Sequence, residues 1–378
     1  MMLDDGVIAA LPWIVAAFAA AALVTFMLTP VVRRLAIAAD AVDHPNHRRV
    51  NLHPVPRGGG LAVATAFVVV AGLLALLGPT AAAIPLPASL TSAQLVVVLA
   101  GGAAAAIIGT LDDVYDLRAR WQFLGQFAVA AVVVSAGIQV GSIDNPFGAG
   151  KIPIEGLWAA GFTVLWIMGV INSINFIDGL DGLSSGIGVI AAITLGVLSL
   201  TQSISQPFVA LLCFIVAGAL LGFLRWNFHP ASIFAGTSGV MFVGFTLSTL
   251  AVLGTAKVAV ALLVLGVPII DTFWIIVRRL AAGRSPFTPD RGHIHHRLLD
   301  LGLSQRQTVL LIYGICAGLG ALSLILSVTG QVYAFLGVLV GFGLVLFVLT
   351  RGRFAAAALE PHSYEAKELD DEMAEADD

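Results

Sequence analysis

The sequence predicts an all-α membrane protein, a polytopic bundle of about 11 transmembrane helices. Hydrophobic residues make up 58% of its 378 residues and charged residues only 11%, whereas soluble domains carry roughly 25% charged residues. The apolar residues fall into long runs, and about 20 such residues are needed to cross a bilayer as a helix. Lys and Arg concentrate in every second loop between these runs, which is typical of a bundle with one cytoplasmic face.

Eleven apolar runs are candidate spans. In chain order they cover residues 7–29, 61–77, 94–111, 123–140, 157–177, 186–201, 207–224, 238–255, 257–277, 308–327 and 333–350. Asp4 and Asp5 precede the first run, where a signal peptide would carry basic residues, so we expect that run to be a retained span. We find no internal repeat, and residues 1–354 are therefore expected to form a single membrane domain.

The C-terminal segment, residues 355–378, has a different composition. Between Glu360 and Asp378 it holds nine acidic residues and a single base, Lys367. Such a run favours a solvated, disordered cytoplasmic tail. The two cysteines, Cys213 and Cys316, each lie inside an apolar run without zinc-site spacing, so we expect them to be packing residues.

Basic residues predict the orientation of the bundle. All of the 19 Lys and Arg residues except Lys151 and Lys257 fall in every second loop or after the last span. Because cytoplasmic loops carry the excess of Lys and Arg, the N-terminus is expected outside and the C-terminus inside. All eight histidines fall on the same cytoplasmic side. The outer loops are short, and residues 140–155 are expected to form a small hairpin there.

Two adjacent acids close the third span. Asp112 and Asp113 are followed one turn later by Asp116. A helix C-terminus carries partial negative charge, so carboxylates there are unfavourable unless something compensates them. Arg118 and Arg120 could neutralise them, which is the structural interpretation. The functional interpretation is a site for a divalent cation and a phosphate, because Mg²⁺ takes one or two carboxylates and leaves places for phosphate oxygens.

The fifth span ends in a second polar group. Asn172, Asn175 and Asp178 are spaced by three residues and therefore lie near one helix face. Gly179 and Gly182 follow, and they allow the backbone to turn close to a ligand. Amides and acids on a membrane helix are costly without partners. They indicate either a binding site or hydrogen bonds between helices.

One acid lies within a predicted span. Asp271 precedes Arg278 by seven residues in the ninth span, which places it roughly 10 Å deep. An intramembrane acid is a candidate functional residue. A salt bridge to a neighbouring helix is the alternative.

The longest predicted inner loop is rich in His and Arg. His293, His295 and His296 lie between Arg291 and Arg297. Without a nearby Cys or a HExxH pattern, three histidines are a weak zinc signal. Beside two arginines they are more typical of phosphate binding.

The loop over residues 43–60, with His53 and Arg57, has the same basic character, and contact with anionic lipid heads is its alternative interpretation. Together the loops offer carboxylates for a cation and basic groups for phosphates at one membrane face. Nothing indicates a Ser or Cys nucleophile with its base. These residues therefore favour phosphoryl chemistry at the membrane surface.

Five ordered motifs resemble those of the polyprenyl-phosphate N-acetylhexosamine-1-phosphate transferases, the MraY/WecA superfamily or glycosyltransferase family 4. They are HPVPRGGG from His53, GTLDDVYDLRAR from Gly109, NSINFIDGLDGLSSG from Asn172, PIIDTFWIIVRR from Pro268 and DRGHIHHRL from Asp290. The resemblance covers residues 33–306. The HIHH form and the predicted 11 spans are similar to the WecA-like branch rather than to the branch that handles UDP-MurNAc-pentapeptide.

The resemblance implies a role for each candidate site residue. The candidates for catalysis are Asp112, Asp113, Asp178, Asp181, His295 and His296. The candidates for substrate binding are Asn172, Asn175, Asp271, His293, Arg291, Arg297, His53 and Arg57. The candidates for ordering a Mg²⁺ ion, with Mn²⁺ as a substitute, are Asp112, Asp113, Asp178 and Asp181.

One position departs from the family pattern. The family usually carries a GDxG motif after the seventh span, and its Asp is a metal ligand. Here the matching stretch is Gly236-Thr237-Ser238-Gly239, so Thr237 replaces that Asp. A hydroxyl is a poor substitute for a carboxylate toward Mg²⁺. Either another acid supplies the charge, or the enzyme needs more Mg²⁺, or the protein is inactive.

The resemblance also implies the reaction. A phosphate oxygen of undecaprenyl phosphate would attack the β-phosphorus of a UDP-sugar, with GlcNAc the expected sugar, and UMP would leave. The product would be a diphosphate-linked lipid for cell-envelope polysaccharides such as lipopolysaccharide or teichoic acid. The implied partners are the UDP-sugar, the polyprenyl phosphate and membrane lipids, without nucleic acid; a homodimer stays open. The alternatives are a catalytically silent polyprenyl-lipid-binding relative and a lipid or sugar transporter.

Overall fold

The computed structural model describes residues 5–45, 53–81, 92–145, 150–201, 204–253, 257–281, 283, 285 and 292–357. Its helices are α1 (Asp5–Ala38), α2 (Gly60–Ala81), α3 (Ser92–Tyr115), α4 (Ala119–Ser135), α5 (Gly156–Ile177), α6 (Leu183–Ser199), α7 (Pro207–Asn227), α8 (Gly236–Leu253), α9 (Lys257–Val264), α10 (Gly266–Ala281), α11 (Ile294–Asp300), α12 (Gln305–Ile325) and α13 (Val328–Ala357). The all-α class is confirmed.

The chain divides into two compact units, Met1–Phe335 and Leu336–Asp378. The first contains the helical bundle. The described part of the second is the C-terminal portion of α13. The predicted acidic tail lies outside the described residues from position 358 onward, so the division at residue 354 stays a prediction.

Each predicted span overlaps one helix, except the ninth, which is split. There α9 and α10 meet at a bend of 75°. By length and composition, the structure has six helices that could cross a membrane, or seven if this bent pair is one span. Shorter apolar helices lie at 60–76, 183–199 and 329–345. The chain is a multi-pass helical bundle, and the count of 11 stays a prediction.

The helices α7 and α8 form the buried centre of the bundle; α1, α2 and α6 pack against α7, and α2–α6 and α9 pack against α8. Around them, large apolar side chains face outward, including Leu157 and Trp158, which are 90% and 83% exposed. Such a surface suits lipid rather than water. Cys213 and Cys316 are buried free thiols, as expected for packing residues.

Two short antiparallel hairpins accompany the helices. Strands β3 (Ser142–Asp144) and β4 (Lys151–Pro153) pair within the predicted hairpin region, which confirms that hairpin. Strands β1 (Val42–Asp43) and β2 (Val55–Pro56) pair at the other end of the bundle, beside the C-terminal end of α3, where Nε of Arg57 donates to the carbonyl of Asp113. After β2 the chain binds the segment before α8, because the N–H of Phe234 donates to the carbonyl of Pro56 at 2.8 Å.

Candidate active site

A cavity of about 290 Å³ lies among the end of α3, the end of α5, the start of α8, strand β1 and the residue that follows strand β2. Its polar lining comprises Asp43, Arg57, Asp113, Asn175, Asp178, Asp181, Asn227, Thr237, His296 and Gln305. Four of these side chains are carboxylates, and only two are basic. The cavity therefore carries an excess of acidic groups.

The first acidic pair stands where α3 meets α8. The N–H groups of Thr237 and Ser238 donate to the two carboxylate oxygens of Asp113, at 2.8 and 3.0 Å. These N–H groups belong to the first turn of α8, where a carboxylate is favourable. Asp112 accepts from Nε2 of Gln122 at 2.7 Å and from Oγ1 of Thr237 at 2.6 Å. Each oxygen of both acids thus has a neutral donor.

Glycines allow this close approach. Gly236 has φ of +70°, and a Cβ there would lie 2.6 Å from both carboxylate oxygens of Asp113. A Cβ on Gly109 of α3 would lie 2.4 Å from Cα of Ser238. Only residues without a side chain bring α3 and α8 close enough for the hydrogen bonds to Asp113.

Arg57 closes the side of the cavity next to α3. Its Nε donates to the carbonyl of Asp113 at 2.9 Å, and its terminal nitrogen pairs with the exposed carboxylate of Asp116. A base from the loop before α2 therefore compensates Asp116 at the C-terminus of α3. Arg57 also lines the cavity, and its contact with substrate stays a prediction.

The end of α5 supplies the second acidic pair. Asp178 accepts a hydrogen bond from the hydroxyl of Ser184. The pKa of Asp178 is raised to about 6, mainly by burial; the Ser184 hydroxyl lowers it, and the nearby carboxylates of Asp113 and Asp181 raise it. Two neighbouring carboxylates therefore repel that of Asp178.

Asp181 is held from the loop after α7. Nδ1 of His229 lies 2.7 Å from its carboxylate, and the N–H of Ala231 donates to it at 3.0 Å. Arg306 of α12 in turn donates to the carbonyl of His229. His229 was not among the predicted site residues, and its only sequence signal was its place on the predicted cytoplasmic side.

The polar residues of α5 divide between two roles. Asn175 and Asp178 line the cavity. Asn172 is not among the lining residues; its Nδ2 donates to Oε1 of Gln126 on α4 at 2.6 Å and to the carbonyl of Met168. For Asn172 the structure shows the hydrogen bond between helices that was the structural alternative.

Asp271 of α10 is tied to the histidine segment. Its carboxylate accepts from the N–H of Ile294 at 2.9 Å and lies 2.7 Å from Nδ1 of His293. Both side chains are buried. The intramembrane acid thus anchors the start of α11, and neither residue is among those that line the cavity.

The three histidines have different surroundings. His293 bonds to Asp271, while His296 lines the cavity. His295 is 1% exposed and packs against Gly179, where a Cβ would lie 2.3 Å from its Nε2. Its Nδ1 has no hydrogen-bond partner among the described residues. Burial, followed by the charges of His296 and His293, holds the pKa of His295 well below its usual value, so its ring is neutral at pH 7.

The remaining predicted residues do not line the cavity or lie outside the residues that the structure describes. Arg297 is buried, and its Nε donates to the carbonyl of Gly292 at 2.8 Å. His53 is exposed and does not line the cavity. Arg291 lies outside the described residues, and its role stays a prediction.

The donor set bears on a metal ion. Among the described residues, no three Asp, Glu, His or Cys side chains lie together closely enough to hold a metal ion by themselves. Asp113, Asp178 and Asp181 nevertheless line one cavity, where burial and then the two neighbouring carboxylates raise the pKa of Asp178. This open set fits Mg²⁺, which takes one or two carboxylates and completes its coordination with water and phosphate oxygens. Thr237 lines the same cavity, but its hydroxyl hydrogen bonds to Asp112.

Fold and site together define a class: a multi-pass helical membrane protein with an acidic cavity built from helix ends. Comparison with known proteins gives the family. The glycosyl transferase family 4 model matches residues 95–255, which include both acidic pairs and the start of α8. The chain belongs to glycosyl transferase family 4.

Three relatives illustrate the similarity. A Bacillus subtilis protein named "Probable undecaprenyl-phosphate N-acetylglucosaminyl 1-phosphate transferase" is 37% identical over 82% of this chain and 83% of its own length. A Mycolicibacterium smegmatis "Decaprenyl-phosphate N-acetylglucosaminephosphotransferase" is 36% identical over 87% of this chain and 86% of its own length. A Salmonella typhimurium "Undecaprenyl-phosphate alpha-N-acetylglucosaminyl 1-phosphate transferase" is 28% identical, covering 76% and 78%.

Proposed function

We propose that this chain is an enzyme that transfers GlcNAc-1-phosphate from UDP-GlcNAc to a polyprenyl phosphate such as undecaprenyl phosphate. The names of its relatives support the reaction and both substrates. The structural observation that carries the proposal is the cavity, in which Asp113, Asp178 and Asp181 share the lining with Arg57 and His296.

The reaction is a phosphoryl transfer between two anionic substrates. An oxygen of the lipid phosphate bonds to the β-phosphorus of UDP-GlcNAc, and the bond from that phosphorus to the bridging oxygen breaks. UMP leaves with the bridging oxygen, and the lipid carries the new diphosphate. Any proton on the attacking phosphate passes to Asp113, which lies at the cavity wall. Arg57 and His296 bind phosphate oxygens and compensate their charge.

The substrates bring negative charge into an already acidic cavity. We propose that Mg²⁺ is required, held by Asp178 and Asp181 with Asp113 beside them. When bound, Mg²⁺ neutralises charge on the diphosphate and on the departing UMP. Burial of Asp178 beside the carboxylates of Asp113 and Asp181, which raises its pKa, supports a cation at this place.

We further propose that the cavity faces the cytoplasm, because the basic loops lie at its end of the bundle. A single accessible cysteine can test this, since both native cysteines are buried. In intact cells a membrane-impermeant maleimide should label Lys151→Cys in the opposite hairpin and leave Arg118→Cys unlabelled. The reverse pattern would contradict the orientation.

Purified protein should convert UDP-GlcNAc and undecaprenyl phosphate into a lipid whose mass has increased by one GlcNAc-phosphate unit, with release of UMP. Omitting the lipid should abolish both products. A matched variant, Glu155→Gln, changes an acid at the opposite end of the bundle and should leave turnover within about twofold of wild type. UDP-glucose in place of UDP-GlcNAc tests the sugar.

One observation favours a second candidate. Thr237 stands where the family pattern has an acid, and a catalytically silent relative that only binds the lipid would not need that acid. Binding of undecaprenyl phosphate or UDP-GlcNAc without UMP release at any Mg²⁺ concentration would identify that case.

A further inference from the structure

The carboxylate of Asp112 accepts hydrogen bonds from two side chains that belong to two other helices. Gln122 lies in the first turns of α4, and its Nε2 donates to Oδ1 at 2.7 Å. Thr237 is the second residue of α8, and its Oγ1 donates to Oδ2 at 2.6 Å. Three helices therefore meet at one buried carboxylate, with one donor for each oxygen.

The direction of both hydrogen bonds follows from chemistry. Nε2 of Gln122 also donates to the carbonyl of Leu117, at 3.3 Å. A flipped amide would turn its oxygen toward a carboxylate and a carbonyl, neither of which can donate, so the nitrogen must occupy this place. The hydroxyl of Thr237 must donate for the same reason, because an ionised carboxylate only accepts.

Thr237 also connects the two acids. Its hydroxyl donates to Asp112, while its backbone N–H donates to Asp113 at 2.8 Å. Asp113 lines the cavity, whereas Asp112 is not among the lining residues. An acid at position 237 could not donate to Asp112 and would need a cation between the two carboxylates.

We infer that Gln122 and Thr237 are positioning residues, which hold the two oxygens of Asp112 and through it fix Asp113 at the cavity wall. The inference rests on the proposed function. A buried carboxylate without donors is strongly destabilised and moves or loses its partners. Loss of either donor therefore disturbs the geometry of Asp113, while the groups that bind phosphates at Arg57 and His296 stay in place.

Isosteric variants test this by kinetics. Gln122→Met and Thr237→Val keep the size of each side chain and remove its donor. Each should lower kcat for UMP release by about tenfold or more, as expected for a lost hydrogen bond to a charged group, while KM for both substrates changes by less than about twofold. Thr237→Ser keeps the hydroxyl and should restore at least about half of the wild-type kcat.

Remote residues supply the controls. Gln139 donates to the carbonyl of Val134, and Thr65 donates to the carbonyl of Leu61, both away from the cavity. Gln139→Met and Thr65→Val should keep kcat within about twofold. Wild-type kcat in both Gln122→Met and Thr237→Val, or an effect on KM alone, would overturn the inference.

Thermal unfolding in detergent separates this inference from the proposed function. Because Gln122 and Thr237 each act through Asp112, adding Asp112→Asn to either variant should lower the melting temperature by less than the sum of the single effects. If no UDP-sugar supports UMP release, the proposed function fails. Non-additive changes in melting temperature would then still support the positioning of Asp112 by Gln122 and Thr237. Additive changes would overturn it.

Discussion

The two acidic pairs of the cavity are stabilised in different ways. Asp112 and Asp113 receive one neutral donor on each of their four oxygens, from Gln122, Thr237 and Ser238. Asp178 receives one hydroxyl, and repulsion from its neighbours helps to raise its pKa to about 6. Every oxygen of the first pair thus has a donor from the protein, whereas Asp178 has one hydroxyl donor and two carboxylates nearby, an excess of negative charge that a cation would relieve. We call Asp112 and Asp113 the fixed wall, and Asp178 and Asp181 the ion-responsive wall. One cavity therefore combines acids that the protein holds in place with acids whose charge responds to a cation.

Removing an acid from the fixed wall should have the largest effect. In Asp113→Asn the amide can accept from Thr237, but its NH₂ group faces the N–H of Ser238, so the start of α8 loses one bond. We expect UMP release to fall by roughly 10²-fold or more. Turnover is measured beside Glu155→Gln, and equal rates in the two variants would place the reaction elsewhere.

A side chain added next to Asp113 should also destabilise the fixed wall. Gly236→Ala places a Cβ 2.6 Å from the oxygens of Asp113, in addition to the strain of a positive φ. Gly150 also has a positive φ, but a Cβ there meets nothing within 4 Å. We expect Gly150→Ala to cost about 1 kcal/mol and Gly236→Ala about 3 kcal/mol or more. Melting temperatures in detergent measure both, and equal shifts would show that the wall at Asp113 yields to an added methyl group.

The contribution of Asp178, in the ion-responsive wall, to the free energy of unfolding should depend on pH. The folded protein holds a proton on Asp178 more tightly than the unfolded chain, so this group favours folding below about pH 4 and loses that contribution as pH rises through about 6. Above pH 7, Asp178→Asn should therefore have a free energy of unfolding higher than that of wild type by on the order of 2–3 kcal/mol. It should also unfold at a higher temperature. The difference should shrink toward pH 4.

An exposed acid controls for this effect. Asp40→Asn removes a surface carboxylate and is the matched acid-to-amide control. Adding Mg²⁺ at pH 7 should stabilise wild type more than Asp178→Asn. A constant difference between Asp178→Asn and wild type across pH would contradict the raised pKa of Asp178.

The smallest expected change is in the Mg²⁺ requirement of a variant at position 237; its kcat should fall as in Thr237→Val, because the donor to Asp112 is lost. Thr237→Asp replaces a hydroxyl donor by a carboxylate beside Asp112. It should lower the Mg²⁺ concentration for half-maximal turnover by a few-fold, on the order of the gain from one added carboxylate ligand, and increase the stabilisation by Mg²⁺ in thermal unfolding. An unchanged Mg²⁺ titration would show that position 237 is not at the metal.

The sequence predicts the helices well because lipid-facing helices must be long and apolar. The exception is the ninth span, where Pro268 lacks the N–H that would bond to the carbonyl of Val264, next to Gly266. The chain accordingly bends between α9 and α10. That signal was present in the residues, but the continuous apolar run concealed it.

The site was predictable where its residues interrupt apolar runs. Asp113, Asn175, Asp178 and Asp181 are visible because acids and amides are costly at span ends, and the structure brings them to one cavity. Their partners Gln122, Ser184 and His229 carry no such signal, because a polar residue in a loop or at a helix start is ordinary. Their roles depend on which helix ends meet, and spacing along the chain does not contain that information.

The histidine segment shows the same limit. His293, His295 and His296 were predicted as one phosphate-binding group, yet the structure gives them three surroundings: a buried acid, the backbone at Gly179 and the cavity. One turn of helix points successive side chains in different directions. Whether each contacts substrate stays a prediction.

UMP release from UDP-GlcNAc and undecaprenyl phosphate, measured across a Mg²⁺ titration with wild type and Asp113→Asn side by side, tests the assignment of this cavity most directly. We predict release that requires both the lipid and Mg²⁺ and that is lost in the variant. No release from folded wild-type protein at any Mg²⁺ concentration, or equal release from Asp113→Asn, would contradict the assignment of this cavity as the active site of a GlcNAc-1-phosphate transferase.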